Sequence, residues 1–86
     1  MRVLITYDLK SDHKTVKDTL KTKGWKETIV GSNGVKCHLP NTSLWKDNIS
    51  ASDARTEIQS VTSRTNLERL ICVEFTSWAG IEGSEF

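Results

Sequence analysis

No apolar run in this chain approaches the roughly eighteen residues that span a bilayer, which excludes a transmembrane helix and a membrane partner. The opening MRVLITYDLK carries one arginine, an apolar run too short for the core of a secretory signal, and no small-residue cleavage site. A cytoplasmic protein is expected. Cysteine is scarce: Cys37 and Cys72 are too few for a disulfide framework and lack metal-binding spacing. They read as small buried hydrophobes. The alternative is a zinc site built on Cys37 and His38, with Cys72 and His13 left to complete it. There is no glycine-rich phosphate loop, and the one GSNG stretch lies in a hairpin context. Internal repeats, linkers and low-complexity runs are also missing. Asn41-Thr42-Ser43 and Asn48-Ile49-Ser50 match the glycosylation sequon, but without a secretory signal they read as turn chemistry.

What is present fits one small domain of 86 residues, 36% apolar and 27% charged. A domain of this size buries a modest fraction of its surface, so oligomerisation is a natural route to more. Net charge is only +1, which by itself does not point to nucleic acid, but it is unevenly spread. Between Lys10 and Lys26 six lysines face Asp12 and Asp18, a local balance of +4. From Leu67 onward Glu68, Glu74, Glu82 and Glu85 face only Arg69, a balance of −3.

Val3 to Tyr7 is rich in β-branched and aromatic residues and reads as a strand covered on both faces. Ser11 or Asp12 is expected to cap a helix running to about Lys23, with Gly24 in the left-handed position after it. Val16 and Leu20 form its thin apolar stripe, closed by Trp25, while Lys14, Lys17 and Lys21 share the other side. Strands over 26–30 and 35–39 flank Gly31-Ser32-Asn33-Gly34 as a hairpin, ended by Pro40. NTSLWKDN reads as a polar loop. Ser50 with Asp53 resembles a capping box for a helix to about Arg64, closed by Asn66. LERLICVEF is the last strong strand, and TSWAGIEGSEF reads as a short extra strand or a loose tail.

The order strand, helix, strand, strand, helix, strand predicts an α+β, ferredoxin-like βαββαβ sandwich, an antiparallel sheet with two helices on one face. Its first strand is central. Residues 1–80 form the single domain and 81–86 the tail.

Asp8 follows the end of that central strand. It reads either as a turn residue or as a carboxylate for Mg²⁺ or Mn²⁺, hard cations that prefer oxygen ligands. One carboxylate is a thin site, but a two-fold dimer brings a second Asp8 to the axis, where a metal can activate water and clamp a phosphodiester. Lys10, Lys14 and Lys17 read either as a solvated face or as phosphate contacts. His13 is a general-base candidate or first-turn decoration. Tyr7 reads as packed, and Trp25, Trp45 and Trp78 read as core or dimer contacts.

RVLITYDLK, at the head of a chain with this element order, resembles the Cas-two family of small CRISPR-associated adaptation proteins. It is closer to their stand-alone, SinR-like relatives and more distantly similar to VapD toxins. The resemblance implies a ferredoxin-like homodimer whose paired aspartates, here Asp8 after Tyr7 and Thr6, are implicated in metal-dependent cleavage of RNA or DNA. For some members it implies instead a non-catalytic scaffold that helps an integrase hold DNA. Two features depart from the pattern. The basic residues near the first helix are lysines rather than arginines, which are better at bidentate phosphate recognition. The C-terminal segment is short for adding a strand to a partner's sheet. A stand-alone relative therefore fits better than a CRISPR adaptation subunit. The expected activity is that of a divalent-metal-dependent endonuclease, with a nucleic-acid- or protein-binding scaffold as the alternative.

Overall fold

The computed structural model describes residues 1–83. The tail expected over 81–86 is thus described as far as Gly83, its last three residues lying outside the described residues. Five strands and two helices follow in the order β1 (Arg2–Leu9), α1 (His13–Thr22), β2 (Thr28–Val30), β3 (Lys36–His38), β4 (Ser43–Lys46), α2 (Ala51–Val61) and β5 (Leu67–Phe75). The chain is a small α+β protein with two antiparallel sheets, β4-β1-β5 and the β2-β3 hairpin. A bridge between Lys26 and Trp45, with N···O distances of 2.8 and 3.0 Å, joins the hairpin to β4. No helix among the described residues is long and apolar enough to cross a membrane.

β1 is central, as the element order predicts, but it is covered on one face only. Val3, Ile5, Tyr7 and Leu9 alternate inward, where they pack with Val16 and Leu20 of α1 and Ala54 and Ile58 of α2. Both helices therefore lie on one side of the sheet. The intervening Leu4 and Asp8 are half-buried and Thr6 is exposed. β5 behaves likewise: Leu70 and Cys72 pack against the core, while Ile71 and Val73 are 59% and 43% exposed.

Three local expectations need correction. The segment read as a polar loop holds β4, because Leu44 is fully buried and Trp45 donates its indole N–H to the Thr28 carbonyl. Neither Ser11 nor Asp12 caps α1 through its side chain: Asp12 adopts a left-handed backbone (φ 63°), and Ser11 bonds to Asn66 instead. α2 ends at Val61, so Asn66 does not close it. Ser50 does cap α2, accepting from the Asp53 N–H at 3.1 Å. Gly24 (φ 99°) follows α1, and Gly34 (φ 81°) closes the hairpin turn through a 2.9 Å bond to Gly31.

The C-terminal segment over 76–83, which includes the described part of the tail, forms no strand. It lies against the hairpin, with Trp78 beside Gly31 and Gly80, and with Leu4, Trp45 and Phe75 it encloses a small apolar cavity of about 220 Å³.

Candidate functional site

Asp8 sits near the end of β1, where the register with β5 shifts between Asp8 and Leu9. Such an irregularity bends the strand and re-aims the side chains beside it. Directly opposed residues of an antiparallel pair share a face, so Asp8 lies with Thr6, Ile71, Leu4 and Val73 on the side away from the helices. Its side chain is 46% exposed, and Arg69 Nε lies 2.6 Å from one carboxylate oxygen. That face therefore has an acidic–basic end at Asp8 and Arg69 and an apolar middle at Ile71 and Val73. Its far end is aromatic: Phe75 meets Trp45 edge-on at 6.4 Å and lies under the Arg2 guanidinium at 4.8 Å. The tail covers that aromatic end and leaves Asp8 open.

The loop after Asp8 is held by Asn66. Its side-chain oxygen accepts from the N–H and hydroxyl of Ser11, and its amide donates to the Ser11 carbonyl and the Thr62 hydroxyl, all at 3.0 to 3.1 Å. Its backbone carbonyl accepts from the Lys10 N–H. The position of the chain just beyond Asp8 is thus set by a residue 58 places later.

The three lysines divide. Lys10 is exposed and its ammonium makes no ion pair among the described residues. Lys14 pairs with Asp18 at 2.6 Å. The Lys17 side chain is only 16% exposed and lies 3.2 Å from Glu27, which also pairs with Lys21 at 2.9 Å. These contacts hold the Glu27 carboxyl below its ordinary pKa, the Lys21 and Lys17 hydrogen bonds outweighing partial burial. Lys14, Lys17 and Lys21 do share a helix face, and with Tyr7 and His13 they line a cleft of about 500 Å³. Tyr7 points to the helix side and Asp8 to the other, so the sheet separates the cleft, and His13 with it, from the carboxylate.

A metal on a single chain has little to hold it. Among the described residues no group of three or more His, Cys, Asp or Glu side chains is placed to bind a cation, and this covers the Cys37–His38 arrangement too. Both thiols are free; Cys37 is buried, and half-buried Cys72 has its pKa pushed up by desolvation. Asp8 supplies one hard oxygen donor, and no group of three donors forms around it among the described residues. Trp25 is in the core, its indole N–H donating to Glu57 at 2.8 Å.

Comparison with protein-family models, with curated proteins and with solved structures finds no match. The likeness to the Cas-two family accordingly rests on Tyr7, Asp8 and the element order alone.

Arg69, Asn66 and Glu27 were not singled out from the sequence. Arg69 is legible only once the β1–β5 register is known, Asn66 acts mainly through Ser11, 55 residues earlier, and Glu27 reaches Lys17 and Lys21 across the turn that follows α1.

Proposed function

We propose that the chain is a Cas-two-like homodimer of ferredoxin-like fold that acts on nucleic acid, cleaving RNA or DNA phosphodiesters with a divalent metal held by paired Asp8 carboxylates. The central β1, flanked by β5 and β4 with both helices on one side, supports the ferredoxin-like reading. There β4 takes the position next to β1, and the hairpin continues outward from Lys26. The two free thiols are in keeping with a reducing, cytoplasmic setting.

The observation that carries the proposal is Asp8 standing half-exposed beside an uncovered apolar sheet face. The apolar runs of β1 and β5 have the composition of strands buried on both sides, yet the helices cover one side and the segment around Trp78 only the aromatic end of the other. A second copy packed on the open face buries Leu4, Ile71 and Val73 and brings two Asp8 residues toward the two-fold axis. Mg²⁺ or Mn²⁺ held there would polarise water and offset phosphate charge. Of this chain's own residues, Asn66 fixes the loop beyond the carboxylate and Lys10 offers an unpaired cation to the nucleic-acid backbone.

A second reading, a non-catalytic dimeric scaffold, is favoured by one contact: Arg69 already neutralises Asp8. Labelled RNA and duplex DNA incubated with wild type and with Asp8→Asn, in Mg²⁺, in Mn²⁺ and in chelator, decide between them. The endonuclease reading expects cleavage that chelator and the substitution both abolish. Binding without cleavage selects the scaffold, and cleavage untouched by Asp8→Asn rejects the metal site.

A further inference from the structure

The cleft on the helix side of the sheet contains a polar group left without a partner. Tyr7 is 3% exposed, and its hydroxyl makes no hydrogen bond among the described residues. Every fully sealed side-chain nitrogen or oxygen among them does have a partner. The Tyr7 hydroxyl therefore opens on the cleft it lines. Burial pushes the phenol pKa up, so at neutral pH it is a proton donor and never an anion.

The cleft that this hydroxyl lines carries a small excess of positive charge. Lys14, Lys17 and Lys21 outnumber the carboxylates of Asp18 and Glu27, and His13 also lines the cleft. The Lys17 side chain is mostly withdrawn from water, and its contacts to Glu27 and to the Asn41 carbonyl and amide oxygens are long, 3.2 to 3.4 Å. Bonds of that length are at the weak end of the range, so a better acceptor can draw this cation away from them. A volume near 500 Å³ exceeds what phosphate alone occupies and falls within the range of small-molecule sites.

We propose that this cleft binds a phosphate monoester, the phosphate taking hydrogen bonds from the Tyr7 hydroxyl and the Lys17 ammonium, with the organic part lying between α1 and the Asn41–Thr42 turn. The monoester is either that of a free mononucleotide or the terminal phosphate of a nucleic-acid strand. The site does not depend on the Asp8 reading, because Tyr7 and Asp8 point to opposite faces of β1.

The test is a nitrogen–proton NMR titration of the intact chain in chelator, which keeps divalent metal out. The probes are adenosine 5′-monophosphate, adenosine, and a tetranucleotide with and without a 5′-phosphate. The expected result is saturable shifts at Tyr7, His13 and Lys17 with the phosphorylated probes and none with their unphosphorylated counterparts. Tyr7→Phe keeps the ring and removes the donor, and is expected to weaken binding roughly tenfold, as for one hydrogen bond to a charged group. Tighter binding of the phosphorylated tetranucleotide assigns the strand end as the ligand, and tighter binding of the mononucleotide assigns the free nucleotide. Absence of saturable shifts in the wild type overturns the proposal, and so does equal binding by adenosine or by Tyr7→Phe.

Discussion

Arg69 Nε approaches an Asp8 carboxylate oxygen to 2.6 Å from the directly opposed position on β5. The pair sits at the open end of a sheet face whose middle is apolar, and the arginine is 81% exposed. Exposed pairs of this kind contribute little stability, about 0 to 1 kcal/mol, because water screens the charges and the side chains lose rotamer freedom. The contact therefore matters more for what Asp8 is free to bind than for holding the sheet together.

Replacing Arg69 by Gln tests that distinction. The expected change in unfolding free energy is under about 1 kcal/mol by urea denaturation. Mn²⁺ affinity is expected to rise, since the carboxylate no longer has a competing cation. Unchanged or weaker Mn²⁺ binding in Arg69→Gln removes Arg69 as a competitor.

Asn66 carries a different kind of load. Its side chain makes four hydrogen bonds that join the loop after β1 to the end of α2. Asn66→Ala is expected to cost about 1 kcal/mol, because Ser11 is exposed and water replaces part of what the lost hydrogen bonds contribute. Hydrogen exchange at Ser11 and the first turn of α1 should quicken more than exchange at β4, which makes no hydrogen bond to this loop among the described residues.

How much of this was legible in the sequence depends on the range of the interaction. Val3, Ile5 and Tyr7 announce a strand by composition, and Asn33-Gly34 announces a turn by its tolerance of left-handed backbone; both signals are local. Ser50 with Asp53 is local as well. β4 is not legible locally, because its burial comes from Leu44 meeting β1 and Trp45 meeting Thr28, and the flanking Asn, Thr and Asp residues read as loop. Asn66 reads as a helix end because Asn commonly stands there, whereas three of its four side-chain hydrogen bonds go to Ser11, 55 residues earlier. At the site, Asp8 was found by position, but its partner Arg69 depends on strand register. The separation of Asp8 from Lys14 and Lys17 follows from the two-residue alternation of β1, which places Tyr7 on the helix side.

Acid should expose a second electrostatic feature. Glu57 accepts from Lys46 and from the Trp25 indole, both at 2.8 Å. Burial pushes its carboxyl pKa up, but these hydrogen bonds outweigh it and the net shift is downward. A carboxylate whose folded pKa lies below its unfolded value stabilises the fold fully above the unfolded pKa, about 4.3 for Glu, and that contribution fades as pH falls through the folded pKa. Wild-type stability is thus expected to drop between about pH 4.3 and the folded value, and Glu57→Gln to reduce that slope. Urea midpoints measured from pH 6 downward, on the order of half a unit apart, give the comparison. Equal slopes in the two proteins would falsify the role given to Glu57.

The open sheet face makes its own prediction. Ile71 is 59% exposed in the single chain, so Ile71→Glu should change the stability of the folded subunit by less than about 1 kcal/mol. If a second copy covers this face, the same substitution buries an unpaired charge and separates the subunits. Sedimentation equilibrium is expected to show a dimer for wild type and a monomer for Ile71→Glu. A wild-type monomer at high concentration, or a dimer indifferent to the substitution, rejects this face as the contact.

The central claim is that two Asp8 carboxylates share one cation across that contact. Electron paramagnetic resonance of Mn²⁺ titrated into the chain counts bound metal directly, whatever the nucleic acid and whatever the rate of cleavage. One bound Mn²⁺ is expected for every two chains, lost in Asp8→Asn and lost again when Ile71→Glu separates the subunits. No bound Mn²⁺ in the wild type, or binding that persists in Asp8→Asn, contradicts it.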